Sequence, residues 1–234
     1  MKPGIRVRRA LWGAVIFLAL VGSAVAVRRM VNLVPIVVGG YHPPAVKSNP
    51  VAAQFARLDD LFARYPILTL VHIVPGLLFM MLGPWQFSST TRVRHLRWHR
   101  LSGRIFVICG VVIGISALVM SFGMPAIGGF NQAAATTLFA TFFLCALSKA
   151  FWHIRRREVA LHREWMIRAF SVGLAVATIR PIVGMFFATS RFSGLTPHEF
   201  FGIGFWIGFV LHLIAAEAWI HATLPQQKTV GALE

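Results

Sequence analysis

The chain alternates between long apolar runs and short connections rich in arginine. Six runs are long enough to cross about 30 Å of hydrocarbon as helices. They lie near residues 10–27, 66–86, 102–122, 130–151, 165–189 and 200–222. Within hydrocarbon every backbone N–H and C=O must be satisfied inside the protein, and a single segment achieves that only as a helix. The pattern therefore predicts an all-α fold: a polytopic integral membrane protein built as a six-helix transmembrane bundle.

The segments between the runs divide the chain further. Residues 1–9 form a basic head, 28–65 a long loop, 66–189 a four-helix core, 190–222 an external loop with the sixth span, and 223–234 a tail. Proline, glycine and asparagine interrupt regular structure in the first part of the long loop. Its second part, "VAAQFARLDDLFARY" (51–65), has apolar residues at helical spacing and predicts a short amphipathic helix on the membrane surface. The first run follows a basic head and ends in Ala24-Val25-Ala26, as a signal segment does. Its length suits a retained signal anchor.

Charge sets the orientation. Lys2, Arg6, Arg8 and Arg9 precede the first run. Arg92, Arg94, Arg97, Arg100 and Arg104 lie between the second and third, and Lys149, Arg155, Arg156, Arg157, Arg163 and Arg168 between the fourth and fifth. The connection "SFGMPAIGGFNQ" has no charge, and the one before the sixth run holds only Arg191 and Glu199. Basic and neutral connections alternate, which puts both termini in the cytoplasm of a bacterial inner membrane and brings anionic lipid headgroups to the basic face.

Composition agrees. The chain is 57% hydrophobic and 13% charged, with a mean hydropathy of +0.70, whereas a soluble domain carries about 25% charged residues. A net charge of +16 would suggest nucleic acid in a soluble protein. Here the arginines sit beside the spans, so the bilayer is the partner and nucleic acid is not; no protein partner is indicated. Cys109 and Cys145 fall inside apolar runs and read as small core residues.

Candidate chemistry rests on a few polar residues. His95 and His99 are four apart in "RHLRWHRLSGR", a spacing metals use. No acid lies between Asp60 and Glu158 to complete a divalent-metal site, so no bare metal is assigned. A b-type haem suits the surroundings better, because it needs two axial histidines, apolar walls and cations near its propionates. His99 and His162 would be its ligands, with Arg100, Arg104, Arg163 and Arg168 near the propionates. His72 and His212 lie deep in the second and sixth runs and form a second potential cofactor pair. Arg180, followed by Pro181 two-thirds through the fifth run, is a ligand site by default, together with His72. Glu217 and His221 share a helix face near the inner end of the sixth run. There is no GxSxG, Walker loop, HExxH or GxGxxG, and no catalytic residue is assigned.

"HRLSGRIFV" (99–107) and "HREWMIRAF" (162–170) align at an offset of 63 residues. Spans two–three and four–five therefore read as candidate related hairpins, with His99 and His162 at equal depth. Together with "HIVPGLLFMMLGPWQF" and "ATIRP", these segments resemble the prokaryotic predicted-membrane-protein family named domain of unknown function 2306. The resemblance runs from about His72 to Pro181. It implies a polytopic membrane protein with recurrent equivalents of His72, Gly83, Pro84, His99, Gly103, Arg104, His162, Trp165, Met166, Arg168 and Arg180, and no assigned activity. Histidine placement is also similar to that of membrane b-type cytochromes, although no histidine lies deep in the fourth span. Three readings follow: a haem-binding redox protein, a binder or transporter of a small anionic or lipidic molecule, and a non-catalytic scaffold or assembly factor.

Overall fold

A computed structural model of the chain describes residues 4–40, 56 and 59–223. Among the described residues seven helices are complete, in order: α1 (Ile5–Gly39), α2 (Pro66–Phe87), the short α3 (Ser89–Arg94), α4 (Leu96–Gly123), α5 (Gly129–Arg155), α6 (Val159–Ser193) and α7 (Pro197–Thr223). All but α3 are long and apolar enough to cross a membrane. Among the described residues there is no strand. The chain is thus the six-helix membrane bundle that the hydropathy pattern predicts. Of the predicted surface helix, Ala56 and residues 59–65 are described, with a helical turn at 59–63; residues 51–55, 57 and 58, Lys2 and the tail from 224 lie outside the described residues.

The helices overrun the apolar runs because backbone chemistry, not hydropathy, stops them. Arginine is a good helix former and continues a helix into the headgroup layer. Thus α1 runs through Arg28 and Arg29 to Gly39, well past residue 27, and ends before Gly40 at φ +88°. Helix α6 ends at Gly194, whose left-handed φ of +67° lets its N–H reach the carbonyl of Ser190. Pro66 and Pro197 open α2 and α7, where a missing N–H costs nothing.

Helices α1, α2, α4, α5 and α6 close into a ring in which each packs on the next and α6 returns to α1; α7 lies in the groove between α5 and α6. Lipid tails are as apolar as leucine, so association depends on close packing rather than on escape from water. Glycines supply it: Gly83 faces Phe170, Gly173 faces Phe79, Gly110 faces Leu147, and Gly208 faces Ile179, each too close for a Cβ. The ring interior holds an aromatic stack. Phe79 lies 4.0 Å from Phe106 between centroids, Phe143 and Phe170 flank it, and Phe87 stacks on Phe170 at 5.0 Å. The outer surface carries Phe17, Leu20, Phe122, Leu138, Met185 and Ile214 as a lipid-facing belt. Cys109 is in the core; Cys145 is on the outer surface instead, and both are free thiols.

One polar bond ties α7 to α5: the Trp206 Nε1–H donates to Asn131 Oδ1 at 2.8 Å. Asn131→Ala should cost about 1 kcal/mol, seen as a lower melting midpoint of the detergent-solubilised protein, and Trp206→Phe should add little to it.

Candidate functional site

Each sequence-predicted residue now has a place. His72 on α2 lies beside Ser116 on α4, Nδ1 to Oγ 2.9 Å. The Ser116 hydroxyl also reaches the Val112 carbonyl at 2.7 Å. A hydroxyl has one proton and a carbonyl only accepts, so Ser116 gives its proton to Val112 and accepts from His72 Nδ1–H. The His72 ring also bonds the backbone of Ile113 on α4. His212 does not meet His72. Its Nε2 lies 2.8 Å from Thr178 Oγ1, and its carbonyl accepts from Ser171 at 2.5 Å, which makes it a staple between α6 and α7.

Arg180 carries an exposed side chain on α6, within Coulombic reach of Arg28 and Arg29 on α1 and of His72 on α2. Arg28 and Arg29 both bind Asp59, at 3.3 and 3.1 Å, and Arg29 covers the ring of Phe62. Three guanidiniums and an imidazole thus share one neighbourhood with one carboxylate. Every described acid is engaged: Asp59 by Arg28 and Arg29, Asp60 by Arg64, Glu158 by His153, Glu164 and Glu217 by Arg168, and Glu199 by the N–H and hydroxyl of Thr196 at the start of α7. None is left for Arg180.

At the basic end, His162 Nδ1–H donates to the Ala150 carbonyl at 2.8 Å and pins the start of α6 to the end of α5. His99 has a buried Nδ1 with no partner. The two rings interact electrostatically, so the sequence pairing brings them near one another. Each is the fourth residue of its helix, and each backbone N–H bonds the carbonyl four residues before, His95 and Glu158. The likeness is local: the ring of His162 bonds a carbonyl and that of His99 bonds nothing, and the two helices have different neighbours. His95 is exposed.

The packing around these rings does not support a haem between them. A macrocycle reaching inward would have to displace the Phe87–Phe170–Phe106 stack. Arg168, expected at a propionate, is already held by Glu217, with Nε to Oε1 at 2.6 Å and Nη2 to Oε2 at 2.9 Å. Arg104 projects from the exposed side of α4. Among the described residues no three histidine, cysteine or acidic side chains gather as a metal site.

Several partners have no signal near the residues they serve. Ser116 meets His72 across 44 residues, Glu217 meets Arg168 across 49, and Gln86 meets Ser102 across 16, with Nε2 to Oγ at 2.5 Å. Arg28 and Arg29 could have been found as a doubled charge at the far end of the first apolar run.

The fold and its two clusters of cations define a polytopic membrane protein with basic sites at both ends of the bundle. The chain belongs to the DUF2306 family, described as predicted membrane proteins, whose match covers residues 69–220. No curated protein and no solved structure matches the chain.

Proposed function

We propose that the protein binds an anionic molecule, a small acid or an acidic lipid, among α1, α2 and α6, with Arg180 as the anchoring charge. Arg180 is the observation that carries the reading. An arginine at membrane depth costs at least about 2.5–3.5 kcal/mol unless paired, and every described carboxylate is engaged by another group. His72 supports it as a polar ring within Coulombic reach of Arg180 and held by Ser116. The arginine-rich end faces the cytoplasm of a bacterial inner membrane and meets anionic headgroups, as the charge bias favours.

The test is binding of carboxylates, phosphate and acidic lipids to the detergent-purified protein, by native mass spectrometry and thermal shift. A bound anion at a hundred times its Kd stabilises by about 2.7 kcal/mol. Arg180→Gln should weaken it at least about tenfold, the effect of one lost charged hydrogen bond. If no anion binds and Arg180→Gln only lowers stability, the scaffold reading holds instead. A visible absorption band that changes on reduction and vanishes in both His99→Ala and His162→Ala would favour the redox reading with haem b.

A further inference from the structure

A second cluster stands at the opposite end of the bundle from Arg180 and does not depend on the reading above. His162 Nδ1–H is committed to the Ala150 carbonyl, so its Nε2 in the neutral ring is a bare acceptor. His99 is the reverse. Its Nδ1 is buried without a partner, and a lone pair left unsatisfied there costs less than an N–H. Its proton therefore sits on Nε2, a donor. Neither Nε2 makes a hydrogen bond, and neither is among the buried unsatisfied atoms, so both reach open space. The donor ring and the acceptor ring lie within Coulombic reach without bonding each other.

The unpaired charges around them are cationic. Arg92 on α3 is within Coulombic reach of both His99 and Arg163; Arg100 is within reach of His99, and Arg8 on α1 is within reach of Arg163. The nearest acids are occupied, Glu158 by His153 and Glu164 by Arg168. Two long helices, α4 and α6, begin here without a side-chain cap; Glu158, the residue before α6, turns its carboxylate to His153 instead. Their dipoles add further positive potential. A stable arrangement of this kind wants an anion.

The geometry points to a phosphomonoester site, formed by His99 and His162 with Arg92 and Arg163, that takes inorganic phosphate or a monoester headgroup. The protonation pattern is the reason for a monoester rather than a diester. A hydrogen-phosphate group offers an oxyanion to the His99 Nε2–H and a P–O–H to the His162 Nε2, whereas a diester has no proton to give. Guanidiniums of Arg92 and Arg163 donate to the remaining oxygens, in the fork geometry suited to phosphate.

The test uses the full chain in phosphatidylcholine nanodiscs. One arm adds inorganic phosphate and follows its 31P line width. The other compares retention of phosphatidic acid, a monoester, with that of phosphatidylglycerol, a diester, at equal mole fraction. Phosphatidic acid should be held about tenfold more tightly, and His99→Ala and Arg163→Gln should each weaken its retention about tenfold, one charged hydrogen bond apiece. His99→Ala is the cleaner variant, because its ring bonds nothing in the fold; His95→Ala, exposed on the same rim, should change nothing. Phosphate that binds and competes with phosphatidic acid identifies one shared pocket, and phosphate that binds without a lipid preference identifies a soluble occupant. Equal retention of the two lipids, unmoved by His99→Ala, with no phosphate binding, would mean diffuse attraction to a basic rim and would overturn the proposal.

Discussion

Alanine at Gly83 should destabilise the bundle by about 1–3 kcal/mol, the usual cost of overfilling a packed interior. The added Cβ would stand 2.1 Å from Cε2 and 2.4 Å from Cζ of Phe170. Phe170 has little room to yield, because it stacks on Phe87 and touches Phe79 and Phe106 in the centre of the ring. In hydrocarbon there is no water to drive the helices back together, so a separation of α2 from α6 is lost packing outright. The melting midpoint in detergent is the measurement. The mechanism predicts a coupling as well: with Phe170→Leu already in place, Gly83→Ala should cost clearly less than it does alone. Equal costs in both backgrounds would mean that the clash is relieved by some other movement.

Much of this arrangement is legible in the chain, and the part that is not has a common cause. Span centres follow from hydropathy because lipid exposes every helix to the same solvent test. Their ends do not, since Gly40, Gly194, Pro66 and Pro197 decide them by backbone geometry. His72, His99, His162 and Arg180 stand out as polar residues in or beside apolar runs. Their roles depend on neighbours supplied by other helices. His212 sits at a depth that suggests a partner for His72, yet rotation about α7 turns it to Thr178 and Ser171. Glu217 offers an i,i+4 partner in His221 along its own helix, while the stronger bidentate partner arrives from α6. Twenty phenylalanines suggest walls for a flat cofactor; only packing shows that four of them, Phe79, Phe106, Phe143 and Phe170, fill that space with one another.

That ion pair carries the other large expected effect. Glu217→Gln should lower stability by roughly 2–3 kcal/mol, at the upper range for a charged hydrogen bond and below the cost of breaking a fully buried pair. The intermediate value follows from its exposure: the Arg168 side chain is 16% exposed and that of Glu217 41%. Arg168 would keep Glu164 at 3.5 Å and the ring of Trp165 beneath its guanidinium, which limits the loss. Trp165 also carries Lys149 over its ring, so Arg168 cannot swing across that ring without meeting a like charge. Arg168→Gln should cost more than Glu217→Gln, since it strips Glu164 and Glu217 of their shared cation and leaves two carboxylates near the membrane boundary. Glu217→Asp separates charge from reach: it keeps the carboxylate but shortens it by one methylene, and should recover only part of the stability. If Glu217→Gln melts with the wild type while Arg168→Gln does not, the stabilisation comes from the Trp165 and Glu164 contacts of Arg168 rather than from the bridge between α6 and α7.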